Sequence, residues 1–215
     1  RSAEPVVREV IEHAQYRLGI CDFERGRLAE SSKALEDFLV RFPESSLAAS
    51  AEFFAGESAF RGQRWDVAAR HFARLSEQFP SDPAVDTAYL RLGDAMASLQ
   101  RWTESERAYT DYLARFGERE QWFAALFGVG WSRENQKKYD EAIEAYEKVV
   151  ARHEGQTAAR AQFQIGECRF AQRRFDEAVR ELLKVDILYA YPEWKAAALF
   201  EAGRCLEELK RSDNL

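Results

Sequence analysis

The sequence predicts an all-α fold, a right-handed superhelical solenoid of antiparallel helix pairs, and three observations predict it. Six glycines (Gly19, Gly56, Gly93, Gly130, Gly166 and Gly203) stand 37, 37, 37, 36 and 37 residues apart. Five residues before each lies an alanine (Ala14, Ala51, Ala88, Ala125, Ala161, Ala198), and three before it a large apolar residue (Tyr16, Phe53, Leu90, Phe127, Phe163, Phe200). Two residues after each glycine comes a small one: Cys21, Ser58, Ala95, Ser132, Cys168 or Cys205. Spacings of three and four put such residues on one buried face of a helix. A unit this short cannot bury that face alone, so copies stack, and the product is an extended binding surface rather than a catalytic pocket.

The units run approximately over residues 12–48, 49–85, 86–122, 123–158 and 159–195, with the first helix of a sixth over 196–211. In each complete unit a bulky residue follows the glycine by nine (Leu28, Trp65, Trp102, Tyr139, Phe175) and a small one by twelve (Ser31, Ala68, Ser105, Ala142, Ala178). These open a second helix, whose apolar stripe continues in order through Leu35 and Phe38, Phe72 and Leu75, Tyr109 and Tyr112, Tyr146 and Val149, and Leu182 and Val185. Helix-ending residues follow at Phe42-Pro43, Phe79-Pro80, Phe116-Gly117 and Gly155. The glycine and the small residue twelve positions on are expected to bring the two backbones of a hairpin close together. Residues 1–215 thus read as one elongated repeat domain, and as a segment of a longer protein, since the chain begins at Arg1 and ends where a sixth turn would lead onward.

The pattern resembles the tetratricopeptide repeat family, most clearly in the run Lys138-Tyr139-Asp140-Glu141-Ala142-Ile143-Glu144-Ala145-Tyr146. The resemblance spans roughly residues 12 to 211. It departs from the family in its longer period, in lacking Trp at its customary place in the first helix, and in the loss of the terminal Pro at Gly117, Glu154 and Ala190. Within the family, Ala-x-aromatic-x-apolar-Gly with endings such as Arg-Phe-Pro-Glu-Ser is similar to bacterial cell-envelope repeats, such as those of the outer-membrane assembly lipoprotein and the Tol-Pal coordinator.

Composition and charge narrow the function classes. Hydrophobic residues make up 46% and charged residues 32%, a balance that suits a folded helical array. A net charge of −6 argues against a general nucleic-acid role, which needs a basic stripe. Arg173-Arg174 and Lys137-Lys138 sit in turns and read as solvated surface. No apolar stretch reaches the ~20 residues that span a bilayer. Cys21, Cys168 and Cys205 share one repeat position and read as small packing residues rather than disulfide partners. An odd number of free thiols leans against an oxidising compartment, and the sequence leaves periplasm, envelope and cytoplasm open. His13, His71 and His153 fall in three different repeats without metal-ligand spacing, and read as surface or partly buried structural residues. No phosphate loop, nucleophile elbow or catalytic constellation is present, and neither a cofactor nor a metal is expected.

The resemblance implies that first helices line a concave groove, with positions two, five, six, nine, twelve and thirteen facing it when the marker glycine is counted as eight. The sixth and ninth positions are Arg17 and Ile20, Phe54 and Glu57, Arg91 and Asp94, Gly128 and Trp131, Gln164 and Glu167, and Glu201 and Arg204. Partner contact is therefore expected at Arg17, Phe54, Glu57, Arg91, Asp94, Trp131, Gln164, Glu167 and Arg204. Aromatics beside arginines have the composition of interface hot spots, whereas Phe54 and Trp131 also read as packing between adjacent first helices. The expected function is a non-catalytic scaffold holding a protein or peptide in the groove. Self-assembly through the ends of the stack, or regulation of an attached enzyme or sensor, are the alternatives, and oligomeric state is left open.

Overall fold

A computed structural model of the chain describes residues 3–117 and 119–212. They fall into two compact units, Arg1–Arg101 and Trp102–Leu215. The first unit contains α1 (Ala3–Glu24), α2 (Leu28–Arg41), α3 (Ala48–Arg61), α4 (Trp65–Gln78) and α5 (Val85–Ser98). The second contains α6 (Trp102–Phe116), α7 (Trp122–Asn135), α8 (Tyr139–Val150), α9 (Gln156–Ala171), α10 (Phe175–Leu188) and α11 (Pro192–Ser212). Within each unit every helix packs on the next, and first helices also touch the first helices beside them: α1 on α3, α3 on α5, α7 on α9, α9 on α11. The all-α repeat fold expected from the glycine spacing is the fold observed.

The turn inside each hairpin is the same device. Seven residues after the marker glycine the backbone is left-handed, at Gly26, Gln63, Gln100, Lys137 and Arg173, with φ between 57° and 73°. The amide of the next residue then donates back to a carbonyl five residues earlier, as from Arg64 to Ala59 and from Lys138 to Arg133. This pattern closes the first helix and reverses the chain within three residues. The second helices start without a side-chain cap at Arg27, Arg64, Lys138 or Arg174. Acidic residues in their first turn, such as Asp66, Asp140 and Asp176, face the positive end of the helix dipole instead.

The seam differs from the expected pairing of glycine with the small residue twelve on. A β-carbon placed on Gly56 would lie 2.8 Å from Phe72, on Gly130 2.6 Å from Tyr146, and on Gly19 and Gly166 within 2.6 Å of Leu35 and Leu182. Each glycine is thus covered by the bulky residue sixteen positions on. The small residue at twelve faces the following first helix: Ser31 bonds Ser58 at 2.8 Å, and Ser132 bonds Ser105 at 2.9 Å. Buried residues of each hairpin close around these contacts, as in Phe127, Ile143, Tyr146 and Val149 with Ile165 and Cys168 of α9.

Other expectations change at particular residues. The first helix starts at Ala3, well before position 12. Gly155 is the residue before α9, in extended conformation, rather than the end of α8. Cys21 is exposed, because the preceding second helix that covers Cys168 and Cys205 elsewhere has no counterpart beside α1 among the described residues. All three thiols are free. Burial, with Glu134 beside it, pushes the Cys168 thiol far up, and burial pushes Cys205 to about 11, so both stay protonated. His71 is buried, beyond the surface or partly buried setting expected, with its Nδ1 2.5 Å from Glu52 Oε2. His153 stacks on Phe123 with ring centroids 3.9 Å apart, and His13 is exposed on α1.

Candidate functional site

In the first unit, the first-helix face is a chain of rings and charges. Phe54 is half-buried and meets Phe23 of α1 edge-on at 5.2 Å and Phe53 at 5.5 Å. The Arg61 guanidinium lies over Phe23 at 4.5 Å and within 3.7 Å of Glu57. Arg91 of α5 donates to Glu57 of α3 at 2.7 Å and to Asp94 at 3.3 Å, and lies over Phe60 at 5.0 Å. Glu57 is buried, so it ties first helices together rather than standing free in a groove. Ion pairing with Glu57 and Asp94 raises Arg91 above its usual value in spite of the opposing effect of burial. Arg17 is exposed on α1.

In the second unit, Arg160 of α9 lies over two rings of α7, 4.4 Å from Phe127 and 5.6 Å from Trp131. Trp131 is half-buried, packing on the core cluster around Tyr146 with part of its ring open. Gln164, expected to face a partner, is buried and donates to both oxygens of Glu134 at 3.1 and 3.0 Å. The buried Tyr146 hydroxyl donates to the same carboxylate at 2.8 Å. Burial raises Glu134 above the ordinary carboxylate range despite these donors. Arg204 pairs with Glu201 at 2.6 Å and lies over Phe170 at 5.0 Å.

The sequence-derived residues therefore separate into two groups. Glu57, Gln164 and most of Phe54 are used in holding first helices side by side. Arg17, Arg204 and the open part of Trp131 remain accessible, and Arg91, Asp94 and Glu167 are partly so. Arg160 and Glu134 were not among the residues expected from the sequence. They occupy the second and twelfth groove positions of the resemblance, which was the signal that would have found them.

Glu167 carries the most perturbed carboxyl on this face. One of its oxygens is buried with no hydrogen-bond partner, and burial, with Glu201 and Glu134 nearby, pushes it up to about 7, Arg204 acting the other way. The folded chain therefore binds more protons at this group than the unfolded chain between about 4.5 and 7. The stabilisation that protonated Glu167 contributes is complete below about 4.5 and is lost as pH rises through about 7. Glu106, held below the usual range by Arg133, Gln136 and Lys138 against the upward effect of its burial, gives the opposite slope. Glu167→Gln is expected to remove only the falling component. Denaturation midpoints of wild type and variant across pH 4–8 should diverge steadily; parallel curves contradict this assignment.

Among the described residues no three His, Cys, Asp or Glu side chains are arranged to hold a metal ion. No described helix is long and apolar enough to cross a membrane. The sequence pattern of the tetratricopeptide repeat family matches residues 16–83, 55–121, 90–157 and 127–193. No curated protein matches the sequence. Solved structures similar to this one include the MamA protein, 20% identical with a TM-score of 0.69, covering 81% of this chain and 89% of that one. Another is MamA from Desulfovibrio magneticus RS-1, 15% identical with a TM-score of 0.68, covering 82% and 94%. A third is the putative kinesin light chain repeat protein of Podosopora anserina, 15% identical with a TM-score of 0.63, covering 82% and 93%. At these identities the likeness is one of fold.

Proposed function

Because this chain belongs to the tetratricopeptide repeat family, we propose that it is a non-catalytic scaffold that holds a protein or peptide segment along the face of its first helices. The observation that carries this reading is Arg160 laid over Phe127 and Trp131, an exposed cation on a partly open aromatic floor. Tryptophan and arginine at the centre of a surface are the side chains that most often dominate a binding interface.

The test is capture of partners by the wild-type chain and by an Arg17→Glu, Arg160→Glu variant. Both arginines are exposed, so the variant should stay folded with helicity unchanged, which circular dichroism checks before capture. A partner retained by wild type and lost at least tenfold by the variant supports the reading. Equal recovery by both contradicts it.

A further inference from the structure

Fifteen residues after the marker glycine, three of the five complete hairpins hold alanine (Ala34, Ala108 and Ala145) and a fourth holds Glu181. The second hairpin holds His71, buried with the carboxylate of Glu52 on its Nδ1. The repeat therefore packs without an imidazole at this place, and a buried polar pair is a weaker source of stability than apolar residues of the same volume. Above the pair lies a cleft of about 540 Å³ enclosed by α2, α3 and α4, within the size range of ligand-binding clefts. Its walls are consecutive second helices of one unit with the first helix between them, so its opening belongs to the stack itself.

The charges lining this cleft are unequally paired. Glu52 holds His71, and Glu36 accepts from Ser32 at 3.0 Å while standing 3.4 Å from His71 Nε2, so both carboxylates are engaged within the protein. Arg70, one turn before Arg74 on α4, is exposed and makes no ion pair among the described residues. Arg74 reaches Glu52 only at 4.0 Å. The rim on α4 thus presents two guanidinium groups with open N–H edges, the fork geometry that takes a carboxylate in two hydrogen bonds. The rim on α2 is apolar: Val40 is 84% exposed, Leu39 stands beside it, and Phe79 at the end of α4 continues the lining. In the second unit, the cleft between the ends of α8 and α10 is of the same size but has no Lys or Arg in its lining. Charge, rather than shape, sets the first cleft apart.

We propose that the cleft between α2 and α4 docks a partner segment in which an apolar side chain neighbours an acidic one, the apolar group resting on Val40 and Phe79 and the carboxylate pairing with Arg70 and Arg74. The sign of the partner's charge follows from the pairing, because the cleft's own carboxylates are engaged and its arginines are open. A basic segment would meet those arginines unshielded. The site is built on second helices, apart from the Arg160 face, and does not depend on the first-helix reading.

The probe is the peptide acetyl-Ser-Leu-Glu-Leu-Asp-Ser-amide, titrated into the nitrogen-15-labelled whole chain while its amide resonances are followed. Saturable shifts are expected in residues 36–43 and 70–79, and none in residues 188–191 of the uncharged cleft. Arg70→Glu or Val40→Asp in the chain should each weaken binding at least tenfold, as should Gln and Asn in place of the peptide's two acidic residues. Both side chains are exposed, so these variants should stay folded with unchanged circular dichroism. The Arg17→Glu, Arg160→Glu chain should bind the peptide as wild type does, which separates this site from the first-helix face; loss of binding there would place the peptide on that face and overturn the proposal. Absence of binding overturns it too, as does binding that both cleft variants leave unchanged or that the amide peptide matches.

Discussion

Leucine at position 130 is expected to destabilise the second unit by about 1–3 kcal/mol or more, the cost of forcing volume into a packed seam. The first atom it adds would stand 2.6 Å from Tyr146 Cε1, with Cδ1 at 2.8 Å and Cζ at 3.0 Å. Tyr146 has nowhere to go, because its ring is fully buried and its hydroxyl is tied to Glu134. The same substitution at Gly203 meets nothing. It should leave stability unchanged, or raise it by up to ~1 kcal/mol through better helix propensity. Chemical denaturation of the two variants side by side checks the claim that marker glycines act through the bulky residue sixteen positions on. Equal losses would contradict it.

Tyr146→Ala should cost about 3–5 kcal/mol, the usual price of an emptied aromatic site. Its ring contacts Phe127 and covers Gly130, so α7 and α8 lose their shared contact at once. Tyr146→Phe separates the two roles of the side chain. It keeps the ring and removes one donor to the buried Glu134 carboxyl, a change worth about 1–2 kcal/mol. Gln164 still donates to both oxygens, so the phenylalanine variant should fold with α7 and α9 in place. Denaturant midpoints ordered wild type, Phe, Ala are the expected result, and a phenylalanine variant as unstable as alanine would place the energy in the hydrogen bond instead.

The repeat, the hairpins and the all-α class were legible because the packing that creates them is periodic, and periodic packing leaves a periodic sequence. What the glycine packs against was not legible. Gly130 pairs with a ring on the next helix, and residue spacing alone does not say whether position twelve or sixteen lies above it. The left-handed turn was equally hidden, since only Gly26 of the five residues that adopt it is a glycine, while Gln63, Gln100, Lys137 and Arg173 adopt it without a composition signal. On the first-helix face, Arg91 and Glu57 were found as charged positions, but not as partners of each other. Their contact joins α5 to α3 across 34 residues, and the choice of partner is made by the stacking of repeats rather than by either helix. Phe54 and Trp131 proved to be both packing and partly open surface, a division set by neighbouring side chains.

The most direct test of the scaffold reading is site-specific photocrosslinking during partner capture. A benzophenone side chain replaces His13 or Asn135, exposed on the first helices α1 and α7 one turn from Arg17 and Trp131, and in parallel Lys33 or Glu144, exposed on the second helices α2 and α8. The first-helix reading predicts covalent adducts to a captured partner from position 13 or 135 and none from 33 and 144. Adducts from 33 and 144 alone would move the binding surface to the second helices and contradict it.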